Sequence, residues 1–320
     1  MQFSTKITIP KSNNPIDYNS KIVSLGSCFA ENMSEKLDYF KFVNFVNPFG
    51  IIFNPVSIEN IISRVVNQQK FTEKDVFFHN ERWNCYEVHS ELSHENKDEF
   101  INSLNLIIQQ SYNLILQSTH FIITYGTSWV YRNLETNEIV ANCHKVSQKH
   151  FQKEILSVET IQKSIQNTLD LIQKINPACH FIFTVSPVRH LKDGFVENQL
   201  SKAHLITALQ SAICSRKLSG LPSVLYFPSY EIMMDELRDY RFYTQDMLHP
   251  NQVAIDYIWE QFFLTQISED IHLIMAEVCS IQKGFMHKPF NSGSQIHQQF
   301  LSKLQDKIEA LQKQFPQITF

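Results

Sequence analysis

Two groups of residues in this chain have the types and spacing that acyl chemistry requires. The first is Leu25-Gly26-Ser27-Cys28-Phe29-Ala30, where two potential nucleophiles directly follow a glycine. The second is Asp246-Met247-Leu248-His249-Pro250. A carboxylate so close to an imidazole can fix its tautomer and stabilise the imidazolium that forms when the ring accepts a proton. Cys28 or Ser27 would attack a carbonyl, His249 would take the proton, and Asp246 would orient His249. The plainer alternatives are a capping aspartate beside a surface histidine, and a Cys28 buried as a small hydrophobe.

These residues need elements to position them. Ile22 to Leu25 reads as a strand, while Phe29, Met33, Leu37 and Phe40 recur at spacings of four and three, the buried face of an amphipathic helix. Ser27 and Cys28 therefore fall at a strand-to-helix turn that Gly26 permits. The unpaired N–H groups of the first helical turn are expected there to lower a thiol pKa and to hold an oxyanion.

Farther along, strands are predicted over Lys21 to Leu25, Phe40 to Val46, His120 to Tyr125, His180 to Val185 and Ser223 to Phe227. Amphipathic helices are predicted over Val56 to Val66, Lys97 to Gln117, Val158 to Ile175 and Glu197 to Arg216, with another after Pro250. This alternation predicts an α/β fold with one parallel sheet in the order 2-1-3-4-5. Ligands then bind at the carboxyl ends of the strands. Gly26-Ser27-Cys28, Asn47-Pro48-Phe49-Gly50, Gly126-Thr127-Ser128-Trp129, Ser186-Pro187-Val188-Arg189-His190 and Asp246 to Pro250 all follow predicted strands. Phe71 to Leu92 reads as an inserted hairpin or lid, and Trp129 to Arg132 with Ile139 to Ala141 as a small strand pair. Ile296, Phe300, Leu304, Ile308, Leu311 and Phe315 form an apolar stripe near the C-terminus, read as core packing with a dimer seam as the alternative.

Composition narrows the function. The chain has 320 residues, is 43% hydrophobic and carries a net charge of −4, with its basic residues dispersed. No nucleic-acid footprint results, so nucleic acid is not an expected partner. No apolar run is long enough to span a bilayer. Met1 to Pro15 lacks the apolar core of a signal peptide, and the six scattered cysteines read as reduced thiols, so a cytoplasmic location is expected. No metal is expected in the absence of Hx3H, HExxH or CxxC pairs, and no nucleotide cofactor in the absence of a Gly-rich phosphate loop.

Gly26-Ser27-Cys28-Phe29-Ala30 resembles the signature of the GSCFA-domain proteins, and the similarity extends from about Lys21 to Phe263. Gly126-Thr127-Ser128-Trp129-Val130-Tyr131, Asn142-Cys143-His144-Lys145, Ser186 to His190 and Asp246 to Pro250 all look like that family. The family in turn resembles the SGNH (GDSL-type) hydrolases. That resemblance implies a three-layer α/β/α, flavodoxin-like fold and a Ser-His-Asp type of site. Aligned without gaps, Cys28 takes the nucleophile's place and Ser27 that of an aspartate. Gly50 would supply a second oxyanion donor. Ser128 stands where an asparagine is expected, so Asn142 or Asn47 would replace that amide.

The expected architecture is an SGNH-like domain over residues 1–267, with its insertion at about 71–92, and a helical extension over 268–320 packed on it. The expected reaction is hydrolysis or transfer of an ester or thioester acyl group from a small-molecule or acylated substrate. A non-catalytic binding module that keeps the fold is the alternative. Asn142 and His144 are candidates for the pocket lining, while Arg189, His190 and Lys192 would bind a substrate carboxylate or phosphate.

Overall fold

The alternation of short β-branched runs with amphipathic helices resolves into a doubly wound sheet. The structure is a computed structural model and describes residues 5–218 and 224–320. In chain order it runs β1 (Lys21–Gly26), α1 (Cys28–Tyr39), β2 (Val43–Val46), α2 (Pro55–Val66), β3 (Phe77–His79), β4 (Arg82–Asn84) and α3 (Lys97–Gln117). It continues through β5 (His120–Tyr125), β6 (Trp129–Asn133), β7 (Ile139–Val140), β8 (Phe151–Ile155), α4 (Val158–Ile175), β9 (His180–Val185) and α5 (Phe195–Leu218). Beyond lie β10 (Val224–Phe227), the single turn α6 (Ser229–Glu231), α7 (Gln252–Gln266), α8 (His272–Met286) and α9 (Gln295–Gln314).

Among the described residues the central sheet has five strands, all parallel, in the order β2-β1-β5-β9-β10. This is the 2-1-3-4-5 order expected from the sequence. Alternation along each strand explains its two buried faces. Val23, Leu25, Phe121, Ile123, Tyr125, Phe181 and Phe183 pack with α2, α3, α4 and α5. Ile22, Ile122, Ile182 and Phe227 face the other way, toward α1, α7, α8 and α9. Leu304, Ile308 and Leu311 of α9 belong to that second cluster, whereas Ile296 and Phe300 stay exposed.

Several boundaries differ from the sequence reading, each for a local reason. The second strand starts at Val43 rather than Phe40 because α1 closes on its own chain. Phe42 N–H donates to the Leu37 carbonyl at 3.0 Å, and Lys41 adopts a φ of +65°. The insertion does hold a hairpin, β3 and β4, turned by Asn80 and Glu81 at positive φ, as tight hairpins require. The small pair β6 and β7 gains a third strand, β8. Ser223, the predicted start of the last strand, lies outside the described residues. A π-helical segment over Ile232–Leu237 follows α6 and had no counterpart in the sequence reading.

Candidate active site

At the end of β1, Gly26 has a φ of +143°, and a Cβ there would lie 2.2 Å from the Thr124 carbonyl oxygen of β5. Only glycine fits so close to a neighbouring strand. The chain then turns: Ser27 N–H donates to that same Thr124 carbonyl at 3.1 Å. Ser27 takes extended dihedrals and caps α1, its Oγ accepting from the Phe29 N–H at 3.3 Å. With 3% of its surface exposed, it is held inward. Cys28, the first residue of α1, is half-buried and lines a cleft of about 540 Å³.

The expected lowering of the Cys28 thiol is not what this environment produces. Burial pushes it up, and the nearby Glu31 carboxylate adds to that. The N–H groups of Phe29 and Cys28 and the Lys202 charge pull the other way. Desolvation of the thiolate outweighs the helix terminus here.

Across the cleft stands the second motif. His249 Nδ1 lies 2.6 Å from Asp246 Oδ2, while Asp246 Oδ1 accepts from the Thr244 hydroxyl at 2.6 Å and from the N–H groups of Leu248 at 2.8 Å and His249 at 3.0 Å. The Thr244 hydroxyl and the two N–H groups, with the imidazole, hold the Asp246 carboxyl well below the usual carboxylate range. The local chain is fixed by Met247 at a φ of +57° and by Asn251, which caps α7. His249 lines the cleft, and Asp246 stands behind it.

Of the residues expected in the site, Ser27, Cys28, Asn142, Arg189, His190, Lys192 and His249 line this one cleft. Gly50, Asn47, Ser128 and His144 do not, and each has a structural occupation. Gly50 N–H donates to the Asn47 carbonyl at 2.7 Å, closing the turn after β2, and is not free for an oxyanion. Asn47 is buried, its Oδ1 accepting the Gly26 N–H at 2.8 Å and its amide donating to Glu31. It ties the second loop to the elbow. Ser128 is fully buried and donates to the Ser201 carbonyl. His144 is buried against Phe77 and Tyr86 with Nε2 2.7 Å from the Cys85 carbonyl, which anchors the insertion.

Two loop residues after β9 sit beside His249. Arg189 N–H donates to the Leu248 carbonyl at 3.1 Å, and its guanidinium lies against the rings of Phe195, Tyr243 and Tyr240 at 5.3, 5.4 and 5.8 Å. His190 packs on Phe53, with its Nε2 buried and without a partner. Burial, followed by the charges of Lys202 and His249, draws its pKa down to about 3, so the ring is neutral.

The sequence reading passed over other members of the site. Lys153 lines the cleft as well, alongside Trp129 and Cys143 of the stretches singled out in the sequence. Lys202 of α5 lies fully buried at the strand ends, donating to the carbonyls of Gly126 at 2.6 Å and Ser186 at 2.7 Å. Its signal was helical phase: Lys202, Leu205 and Leu209 share one face of α5, and a lysine on a buried face is rarely idle.

Residues 21–262 match the model of the GSCFA family, and residues 278–320 match that of the GSCFA domain protein, C-terminal domain. No match was found among curated proteins. Among solved structures, the chain is similar to a carbohydrate esterase family 3 protein from Talaromyces cellulolyticus at 11% identity and a TM-score of 0.28. That likeness covers 53% of this chain and 65% of the other, so the chain spans just under two thirds of that esterase's length. It is also similar to a serine-to-alanine mutant of an acetyl esterase with acetate ion, at 13% identity and a TM-score of 0.33. There the coverage is 81% of this chain and 99% of the other.

Proposed function

The chain belongs to the GSCFA family, and on that footing we propose that its cleft performs acyl transfer through Cys28, either hydrolysing an ester or thioester or passing the acyl group to another acceptor. One observation carries this reading: Cys28, at a helix N-terminus, and His249, held by Asp246, open onto the same cleft. In the proposed reaction the Cys28 sulfur bonds to the carbonyl carbon while its proton passes to His249. The bond to the leaving group breaks as His249 returns that proton. Water, deprotonated by His249, then cleaves the acyl thioester and restores the thiol. The Cys28 N–H is the oxyanion donor the elbow offers, a contribution of about 3 kcal/mol in comparable sites.

Lining charge supports a substrate class. Arg189 and Lys192 line the cleft with Lys153, which pairs with Asp193, the one carboxylate among the lining residues, beside an apolar wall of Ile51, Phe53, Val188 and Leu248. An acyl compound with a carboxylate or phosphate fits that lining. The free state of all six cysteines supports a reducing, cytoplasmic setting. Among the described residues no helix is long and apolar enough to cross a membrane.

The test is release of 4-nitrophenol from 4-nitrophenyl acetate by the native chain, Cys28→Ala and His249→Ala, with turnover expected only in the first. A second reading, a non-catalytic binding cleft, is favoured by the commitment of the Gly50 N–H to Asn47. It predicts no turnover by any of the three proteins, with Cys28 alkylated no faster than the other thiols.

A further inference from the structure

Lys202 has no surface exposed, and its ammonium donates to two main-chain carbonyls, with no carboxylate paired to it among the described residues. Burying an ammonium without a counter-ion is strongly unfavourable, and an apolar side chain would fill the same space without that cost. Its placement is the informative part. Gly126 directly follows β5 and Ser186 directly follows β9, so Lys202 bridges the loops that carry Thr127, Arg189 and His190 into the cleft. Thr124, two residues before Gly126, accepts the N–H of Ser27, next to Cys28. The ammonium is thus held at the end of β5, the strand paired beside β1 and its elbow.

We propose that Lys202 is a positioning residue of this site, clamping the β5 and β9 loops together and providing the positive charge against which the Cys28 thiolate forms. The groups that face it come from each neighbouring element. Cys28 of α1 and Glu231 of α6 hold its proton on, and His190 of the β9 loop is kept neutral partly by its charge. The Tyr230 ring lies 5.4 Å away. Glu231 is itself pushed up by burial and accepts the Tyr226 hydroxyl, so it is a weak counter-ion. Burial draws Lys202 down to about 7. Protonation of the lysine and ionisation of the thiol therefore favour one another, as coupled groups must.

The inference rests on Cys28 as the thiol of the cleft, but not on turnover. The experiment is accordingly the pH profile of Cys28 alkylation by iodoacetamide, read by mass spectrometry of its peptide, with exposed Cys214 as internal reference. Lys202→Gln keeps amide N–H donors for the two carbonyls and removes the charge. Lys202→Met removes both, and Lys202→Arg keeps the charge. In the glutamine and methionine variants the profile should move to higher pH, with Cys28 alkylation near neutrality slowed about tenfold, while arginine should hold the native profile. Folded Lys202→Gln or Lys202→Met with the native profile overturns the proposal. If only Lys202→Arg folds, the charge serves the fold itself and the proposal falls as well.

Discussion

Asp246 Oδ2 meets His249 Nδ1 at 2.6 Å, and the other carboxylate oxygen is saturated by Thr244, Leu248 and His249 donors. The carboxylate therefore does two separate tasks. One oxygen shapes the loop, and the other directs the imidazole so that Nε2 is left for the cleft. Asp246→Asn should keep the loop and lose the tautomer. Turnover of 4-nitrophenyl acetate should fall by about 10³- to 10⁴-fold, with only a small drop in melting temperature at pH 7 because the pair is half-exposed.

The same carboxylate has a pH signature. Its folded-state pKa lies below the unfolded value, so its contribution to stability is present at neutral pH. That contribution fades as the pH falls below about 4 toward the folded-state value. Urea unfolding of native and Asp246→Asn proteins should show a difference at pH 7 that narrows below pH 4. A difference that widens on acidification would contradict the assignment.

Ser27 and Cys28 are expected to separate by role. Ser27→Ala should cost about 1 kcal/mol through loss of the helix cap, measured by denaturant unfolding, and should leave Cys28 labelling by an electrophilic acyl analogue largely intact. Cys28→Ala should abolish that labelling. Labelling that followed Ser27 instead would transfer the nucleophile's role to the serine.

Arg189 is expected to select substrates rather than drive chemistry. Arg189→Met should lower kcat/KM for 4-nitrophenyl hemisuccinate by about tenfold or more while changing the acetate ester little. Equal losses on both esters would place Arg189 in the general support of the His249 loop, through its bond to the Leu248 carbonyl.

Asn47→Ala removes the acceptor of the Gly26 N–H and should destabilise the chain by about 1–3 kcal/mol. Stability, read by urea unfolding, should register the change more strongly than the kcat of any Asn47 variant that remains folded.

Much of the fold could be read directly. The apolar run Ile22 to Leu25 and the helical spacing of Phe29, Met33 and Leu37 are local patterns, and their alternation with further strands and helices implies a doubly wound sheet and its functional edge. The Asp246 and His249 pair was legible for the same reason, because the two residues share one turn of chain. Boundaries such as Phe40 were lost to the closing turn at Lys41, where helix capping overrode strand propensity.

The sequence by itself therefore determined the individual strands and helices, the strand-to-helix elbow and the Asp246–His249 pair, since each depends on residues within a few positions of one another. Tertiary structure alone decided the rest. Whether the Gly50 N–H was free depended on the Asn47 turn that consumes it. The direction of the Cys28 shift depended on how much water the surrounding loops exclude. The buried Lys202 ammonium met the Gly126 and Ser186 carbonyls only because α5 packs across the ends of β5 and β9. Desolvation and charge act through space, and a sequence records proximity only along the chain.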